Sequence, residues 1–441
     1  MAEFITPKIL KGFRDFLPGP EIKRRDLVEQ IEKSFRAYGF VPIDTPVLEY
    51  SEILLGKGGG ETEKQIYRFH DHGGRDVALR FDLTVPFARF LAEHRPELTL
   101  PFKRYHIAKV WRGENTQRGR YREFTQCDFD IVGSNSPAAD FEILLLMRNT
   151  LLAIGAEALT IRLNHRGLFN RFLSKIDAGE KSPEILRIVD KLAKIGREET
   201  GKLLGELLGE TRAQAVIGYI EAKGSYEDTL QGMIRAAGGD TPESDRLWML
   251  RRFMNDTGTA ASFTLDPSIT RGLDYYTGVV YETFLNGLPD IGSVCSGGRY
   301  DNLAGLYSRE KISGVGSSIG LDRLIAAREA LEKNVEKNTY APLAIACVRE
   351  EDGGAYQRLA GRFREAGIAC EVFFEAKKLT QQFILAEKKG ARWVIVPAGE
   401  RPQDSPLTLR EIARRQDRER LSWEEAARII KEASEGLPPA G

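Results

Sequence analysis

The chain has 441 residues, 42% of them hydrophobic and 29% charged, which is typical of a globular protein of roughly three domains. Lys+Arg and Asp+Glu both number 64, so the formal net charge is zero. That balance excludes a general polyanion binder and restricts any nucleic-acid contact to local basic patches. No run of about 18 apolar residues is present, so no membrane span is predicted.

The cysteine and histidine spacings argue against a metal site or a disulfide framework. The four cysteines are far apart and form no CxxC pair. His70 and His72 lie beside D-H-G-G, where a solvated turn is favoured over a metal site because no further ligand pattern follows. The first residues also lack a signal-peptide pattern. We therefore expect a protein of the reducing cytoplasm without a metal site of its own.

The N-terminal third predicts a helix followed by β structure. Apolar residues at helical spacing predict a helix over 21–38, and the two prolines of FVPIDTPVLEY favour an edge strand. The glycine-rich stretch 56–64 lacks the GK[ST] ending of a Walker loop and predicts a turn or lid. Residues 77–133 are expected to be β-rich around a polar turn at 113–119.

The remainder of the chain predicts a helical insertion, more β structure and a separate C-terminal domain. Leu, Lys, Glu and Ala recur in helical periods over about 165–255, and GVGSSIGLDRLIAAREALEK predicts a glycine-rich strand feeding a helix. We predict a domain over 1–333, a polar linker at 334–341 and a small α/β domain over 342–441. Its arginine-rich segment 410–420 is expected to form a solvated amphipathic helix.

A polar hairpin over 104–133 is the first candidate for chemistry. On its returning arm, alternation places four side chains on one face: Phe124, Gln126, Asp128 and Asp130. Gln126 and Asp130 would lie on the order of 13 Å apart, enough to span a small molecule joined to a nucleotide. The guanidinium of Arg112 can donate two parallel hydrogen bonds to a carboxylate or a phosphate. A half-exposed hairpin with ordinary salt bridges is the alternative.

Three further segments carry unusual polar groups. Asp82 and Thr84 are predicted on one strand face, where they suit an ammonium group or pair with nearby arginines. RGLDYY over 271–276 offers a fixed charge and paired tyrosines. Arg323 is expected in the first turn of a helix, where the helix dipole disfavours a cation, so it needs an anionic partner such as a phosphate or a neighbouring acid.

Together these segments resemble the class II aminoacyl-tRNA synthetases. YGFVPIDTPVLEY looks like motif 1, VWRGENTQRGRYREFTQ like motif 2 and GVGSSIGLDRL like motif 3. With RGLDYY and GGRYD (297–301), the chain resembles the histidyl-tRNA synthetase family over nearly its whole length. The resemblance implies a mixed α/β fold whose antiparallel sheet is flanked by helices, with a C-terminal α/β anticodon-binding domain.

The resemblance also implies an activity and its partners. It implies that L-histidine is activated by ATP with Mg²⁺ and transferred to the 3′ end of tRNA(His), by a homodimer without membrane contact. Because positioning and charge stabilisation suffice for this chemistry, no protein nucleophile is needed. The alternative is a non-catalytic, synthetase-like regulatory paralogue of histidine biosynthesis.

The implied site residues fall into three groups. Those implied to be catalytic are Arg112 and Arg271, at the α-phosphate and the carboxylate, and Arg323, at the γ-phosphate. Those implied to hold histidine are Asp82, Thr84, Gln126, Asp130, Tyr275 and Tyr276, together with Arg112 and Arg271. Those implied to hold ATP are Arg112, Glu114, Arg120, Phe124 and Arg323. Asp82 and Asp130 stand where many bacterial members carry glutamate, and Asp322 stands where motif 3 usually has glutamate, so contacts there should be about one methylene longer.

Overall fold

The structure is a computed structural model that describes residues 4–56, 63–117, 119–156, 158–270, 276–301, 303–331, 338–398 and 404–435. It divides into two compact units. The first comprises Met1–Arg14 and Val28–Glu332, and the second Asp15–Leu27 and Lys333–Gly441. The four cysteines, Cys127, Cys295, Cys347 and Cys370, are buried and free.

Strands and helices are numbered in chain order. The strands are β1 (Val41–Pro42), β2 (Leu48–Tyr50), β3 (Arg68–His70), β4 (Asp76–Leu79), β5 (Phe102–Trp111), β6 (Glu123–Val132), β7 (Leu159–His165), β8 (Phe263–Leu265), β9 (Val279–Leu285), β10 (Cys295–Tyr300), β11 (Gly314–Gly320), β12 (Leu343–Ile345), β13 (Cys370–Val372), β14 (Trp393–Pro397), β15 (Leu407–Glu411) and β16 (Gln416–Leu421). The helices are α1 (Pro18–Ala37), α2 (Ser51–Leu55), α3 (Thr84–Glu93), α4 (Pro137–Ala153), α5 (Arg166–Lys175), α6 (Ser182–Val189), α7 (Leu192–Leu208), α8 (Glu210–Ile220), α9 (Tyr226–Ala237), α10 (Pro242–Asp256), α11 (Leu321–Leu331), α12 (Gly353–Glu365), α13 (Leu379–Lys389) and α14 (Trp423–Glu435).

An antiparallel sheet forms the centre of the first unit. In the described residues it has eight strands in the order β1-β5-β6-β11-β10-β9-β7-β8. Only its outermost pairs, β1 with β5 and β7 with β8, are parallel. The proline-containing β1 lies at the edge, as predicted, because proline cannot donate to a ladder on both sides. A smaller sheet, β2-β4-β3, lies elsewhere in the same unit.

The two faces of the central hairpin, β5 and β6, have different chemistry. One face is aromatic: the ring of Phe129 on β6 lies 4.8 Å from that of Phe35, and Tyr105 on β5 lies 5.6 Å from Phe35. Phe35 belongs to α1, which confirms the helix predicted over 21–38. Because alternate residues point to opposite faces, the other face carries the polar residues of β6.

Glycines on β10 and β11 make room on that polar face. A Cβ at Gly314 would lie 2.3 Å from the ring of Tyr300, and one at Gly316 would lie 1.8 Å from Asp130 Oδ1. A Cβ at Gly298 would lie 2.8 Å from the ring of Tyr276. These glycines therefore admit side chains of neighbouring strands, and close approach is what demands glycine here.

The region between β7 and β8 is helical, with α5 to α10 running from Arg166 to Asp256. It has an aromatic core in which the rings of Phe172 and Tyr219 stack 4.5 Å apart. The second unit contains a five-stranded sheet in the order β13-β12-β14-β15-β16 among its described residues. Helices α12, α13 and α14 accompany it, and Trp393 lies in its apolar core. The predicted alternation of β and α elements in this part of the chain is confirmed.

The helix predicted for the arginine-rich segment 410–420 is wrong. The segment forms part of the β15–β16 hairpin, with Arg410 opposite Asp417 in the register. Arg410 Nη1 donates to Asp417 Oδ2 at 2.9 Å, and Leu409 on the same strand is fully buried. Alternating burial along β15 shows the period of two that the run of arginines obscures.

Substitution of Gly316 by alanine tests the glycine face. The new Cβ would overlap Asp130 Oδ1 at 1.8 Å, so Gly316→Ala should destabilise the fold by about 1–3 kcal/mol. The control is Gly218→Ala in α8, where a Cβ meets nothing within 4 Å. That change should be neutral or stabilising by about 0.5–1 kcal/mol. Urea unfolding of both variants checks this, and equal stabilities would contradict the packing described.

Candidate active site

A cavity opens on the polar face of the sheet where β5, β6 and β11 meet. Its volume, including the open mouth, is about 1120 Å³. Residues from several separated segments line it: Asp82, Thr84, Arg112, Glu114, Gly119, Arg120, Tyr121, Phe124, Gln126, Tyr276, Ser293, Val294, Cys295, Ser296, Ser318, Gly320, Asp322 and Arg323. The cavity therefore combines arginines, carboxylates, an amide and aromatic rings in one place.

Arg112 occupies the end of the β5 arm. Its Nε donates to the carbonyl of Phe81 at 2.8 Å, which fixes the guanidinium while leaving its outer nitrogens for a ligand. The guanidinium carbon lies 5.1 Å from the ring centre of Phe124. Glu114 Oε1 lies 3.8 Å from Nη1 of Arg112, and Glu114 Oε2 lies 3.8 Å from Nη1 of Arg120. This wall therefore presents two cations and an aromatic face, which suit a nucleotide.

The strand predicted for Asp82 and Thr84 is wrong. Strand β4 ends at Leu79, Asp82 lies in the following turn, and Thr84 is the first residue of α3. Asp82 Oδ1 accepts the backbone N–H of Val85 at 3.1 Å, so its carboxylate satisfies a donor that the helix start leaves open. Both side chains still line the cavity, because the turn brings them together there.

At the junction of β11 and α11, Arg323 and Asp322 have separate partners. Arg323 donates to the carbonyl oxygen of Ser293. Asp322 pairs with Arg14 and accepts the backbone N–H of Thr125 at 2.8 Å. The acid next to Arg323 is thus already engaged, so Asp322 is not the anionic partner that the sequence leaves open for Arg323.

The inner end of the polar face contains a buried ion pair. Asp130 Oδ2 lies 2.6 Å from Nη2 of Arg104, and Asp130 Oδ1 accepts the hydroxyl of Tyr300 at 2.6 Å. Arg104 is fully buried, and its guanidinium lies 4.1 Å from the ring centre of Phe87. Nearer the mouth, Gln126 Nε2 donates to the Ser318 hydroxyl at 2.9 Å.

Burial perturbs the carboxyls of this face. It raises the pKa of Asp82 to about 6, although the Val85 N–H and Arg112 act in the opposite direction. Burial also raises the pKa of Asp128 to about 7, against the effect of Arg104. For Asp130 burial again raises the pKa, while Arg104 and Tyr300 lower it. Raised carboxyl pKa values of this kind cluster at functional sites, where burial and neighbouring charges are arranged around a ligand.

The structure brings together nine of the residues singled out from the sequence: Asp82, Thr84, Arg112, Glu114, Arg120, Phe124, Gln126, Tyr276 and Arg323. Asp130 lies on the same face of β6 but is not among the residues lining the cavity. Arg271 and Tyr275 lie outside the described residues.

Sequence reasoning missed several residues that shape the site. Arg104 was read only as part of a hairpin, although it stands directly opposite Asp130 in the ladder. That register, once the hairpin is drawn, is a signal that could have found it. Ser318 and Arg14 carry no such signal, since their partners lie 192 and 308 positions away in the chain.

Within the described residues, no group of three or more His, Cys, Asp and Glu side chains is placed to hold a metal ion. In the same part of the chain, no helix has both the length and the apolar character needed to cross a bilayer.

The antiparallel sheet and the arginine-lined cavity define a class II aminoacyl-tRNA synthetase. The sequence model of the histidyl-tRNA synthetase family matches residues 12–324, and that of an anticodon-binding domain matches residues 343–433. The chain belongs to the histidyl-tRNA synthetase family.

Individual relatives agree over most of the chain. The histidine–tRNA ligase of Treponema denticola is 55% identical over 399 residues, covering 89% of each chain. That of Treponema pallidum is 50% identical and covers 94% of this chain and 95% of the relative. The crystal structure of histidyl-tRNA synthetase from Nostoc sp. PCC 7120 superposes with a TM-score of 0.83 at 30% identity, covering 98% of this chain and 100% of that one.

The raised pKa of Asp82 predicts a pH-dependent stability. Because this pKa rises from 3.8 to about 6 on folding, the stabilisation is complete below about pH 4 and is lost as pH rises through 6. Raising the pH from 5 to 8 should therefore cost about 1 kcal/mol through this group. Asp82→Asn keeps an acceptor for Val85 and should remove that part of the slope in urea unfolding.

Asp76→Asn is the matched control. The pKa of Asp76 is lowered to about 2, first by its hydrogen bond from Arg68, so this carboxyl does not titrate between pH 5 and 8. Its replacement should leave the pH slope unchanged. A slope in Asp82→Asn equal to that of the unmodified protein would contradict the raised pKa that burial gives Asp82.

Proposed function

We propose that the protein is a histidine–tRNA ligase that activates L-histidine with ATP and transfers the histidyl group to tRNA(His). One observation carries the proposal: a single cavity joins buried carboxyls, suited to an amino acid, to arginines and an aromatic ring, suited to a nucleotide. The second unit matches an anticodon-binding domain, which supports tRNA as the acceptor. Family membership further supports a homodimer in the cytoplasm.

In the first step, a carboxylate oxygen of histidine attacks the α-phosphorus of ATP. A new P–O bond forms, the bond to the β-phosphate oxygen breaks, and pyrophosphate leaves. Arg112, and Arg271 by family resemblance, would hold the carboxylate and the α-phosphate so that charge on the phosphorus oxygens is compensated. Arg120 and Arg323 would contact the γ-phosphate. ATP would enter as its magnesium complex, which supplies further charge compensation on the phosphates.

Adenine would lie on Phe124, with Glu114 accepting from its amino group. The histidine ammonium would lie among Asp82, Thr84 and Gln126, all of which line the cavity. Tyr276, together with Tyr275 and Asp130 by family resemblance, would line the pocket for the imidazole ring of histidine.

In the second step, a hydroxyl of the 3′-terminal ribose attacks the carbonyl carbon of histidyl-adenylate. The acyl–phosphate bond breaks and AMP leaves. Both steps rely on positioning and fixed charge, so a protein nucleophile is not required. The arginines Arg112, Arg120 and Arg323 would therefore bind the phosphates, and the acidic residues at the other end of the substrate would select the amino acid.

A non-catalytic regulatory paralogue is the other candidate. The presence of Arg112 and Arg323 in the cavity, together with the match to an anticodon-binding domain over residues 343–433, favours the ligase. Exchange of labelled pyrophosphate into ATP decides between them.

We predict exchange that depends on L-histidine, followed by charging of tRNA(His). Absence of exchange, or equal exchange with other amino acids, would refute the ligase. Arg112→Ala should lower the exchange rate by about 100-fold or more, since a fixed charge at the reacting phosphate is lost. Arg162→Ala is the control: Arg162 lies on β7, outside the cavity, and pairs with Asp266 at 3.3 Å. It should exchange at the normal rate, and an equally slow Arg162 variant would argue against a specific role for Arg112.

A further inference from the structure

A short segment near the N-terminus, residues 11–14, lies against the loop that joins β5 to β6. We call it the N-terminal strap. The backbone N–H of Arg122, in the returning part of the loop, donates to the carbonyl oxygen of Gly12 at 2.9 Å. Nη1 of Arg122 also donates to the carbonyl oxygen of Lys11 at 3.5 Å. The strap is therefore joined to a loop that follows it by about a hundred positions in the chain.

Gly12 lets the strap approach the loop closely. Its φ is +90°, in the left-handed region that favours glycine. A Cβ at this position would lie 2.7 Å from Cγ of Arg122 and 2.9 Å from Cγ2 of Thr116. Conformation and space thus both require glycine here. The contact between strap and loop is tight enough to fix the position of one relative to the other.

Hydrogen bonds continue from the strap to residues that line the cavity. Arg122, which donates to Gly12, accepts the backbone N–H of Arg112 at 2.9 Å. Nε of Arg122 donates to the carbonyl oxygen of Glu114 at 3.2 Å. Both Arg112 and Glu114 line the cavity. A single residue, Arg122, therefore connects the strap to this part of the cavity wall.

Arg14, at the end of the strap, contacts two further residues of the cavity lining. Its guanidinium carbon lies 3.3 Å from the centre of the Tyr121 ring, so the cation stacks on the aromatic face. Its Nη2 pairs with Oδ1 of Asp322, the second residue of α11. The side chain of Asp322 is 5% exposed and that of Arg14 is 29% exposed, so water screens this pair only in part. Arg14 therefore joins the loop to the start of α11.

The partners of Arg14 are next to the side chains proposed to bind the nucleotide. Asp322 directly precedes Arg323, and its Oδ2 accepts the backbone N–H of Thr125 on β6 at 2.8 Å. Tyr121 directly follows Arg120 in the loop. Four proposed nucleotide-binding residues are thus adjacent in sequence, or hydrogen-bonded through one residue, to this network: Arg112, Arg120, Phe124 and Arg323.

We propose that Arg14 is a positioning residue for the nucleotide end of the site, acting through Tyr121 and Asp322. The proposal rests on the proposed function, because it takes ATP as the nucleotide. Arg14 is not among the residues that line the cavity, so it sets the spacing of the phosphate-binding groups instead of binding phosphate itself. The histidine end has contacts of its own, such as the hydrogen bond from Gln126 to Ser318.

Arg14→Ala tests this role. It should weaken binding of magnesium–ATP, measured by calorimetry, by roughly 10-fold, because the phosphate-binding groups remain but lose their alignment. The KM for ATP in pyrophosphate exchange should rise in parallel. The KM for L-histidine should stay within about two-fold, because the contacts at that end are separate. Arg14→Lys keeps a charge for Asp322 but loses the planar group that stacks on Tyr121, so it should recover only part of the ATP affinity.

Arg95→Ala is the matched control. The side chain of Arg95 is 34% exposed, close to the 29% of Arg14, and its Nε lies 3.1 Å from Oε2 of Glu310. Like Arg14 it joins distant parts of the chain, but neither member of its pair lines the cavity. Arg95→Ala should bind ATP normally. Both alanine variants should melt close to the unmodified protein, because partly exposed ion pairs contribute little to stability.

Three results would count against these assignments. Normal ATP affinity in Arg14→Ala would overturn the positioning role and leave the proposed function standing. An equal rise in KM for ATP and for L-histidine, or an equal loss of ATP affinity in Arg95→Ala, would also overturn it, because general loosening of the fold acts in that way. Absence of histidine-dependent exchange in the unmodified protein would overturn the proposed function, while the calorimetric comparison would still decide whether Arg14 positions the nucleotide end.

Discussion

The site depends on the buried ion pair between Arg104 and Asp130, which joins β5 to β6 beneath the cavity. Removing two charges from water is costly, so the pair persists only because its surroundings are arranged for it. Tyr300 donates to the same carboxylate, and the ring of Phe87 lies 4.1 Å from the guanidinium. Gly316 leaves the space that Asp130 fills. Gly316 is therefore the glycine of β11 that this pair requires.

The pair also explains how acids and arginines share one cavity without neutralising each other. Arg112 Nε donates to the carbonyl of Phe81, and Arg323 donates to that of Ser293. Arg104 pairs with Asp130, and Asp82 Oδ2 is buried without a hydrogen-bond partner within the described residues. Fixed charges of opposite sign at opposite ends suit a substrate that joins an amino acid to a nucleotide.

Local patterns predicted the parts of the site that local geometry controls. Alternation along β6 placed Phe124 and Gln126 on one face, and the glycines of β11 marked close approach before α11. The turn at Asp82 was missed because RFDLTVPF alternates like a strand, whereas the helix start that Asp82 supports follows from a backbone contact with Val85. The sequence does not reveal the role of Arg104 directly, because its pairing depends on the register of a hairpin. It does not reveal the Arg14–Asp322 pair either, because 308 positions separate the two residues.

The central claim is that an amino acid supplies the positive charge and the donor missing from the acidic end. A crystal structure of the protein with L-histidine and a non-hydrolysable ATP analogue tests it most directly. The account predicts the ammonium within hydrogen-bonding distance of Asp82 Oδ2 and the ATP phosphates against Arg112 and Arg323. Histidine bound outside this cavity, or an ammonium that makes no contact with Asp82, would contradict it.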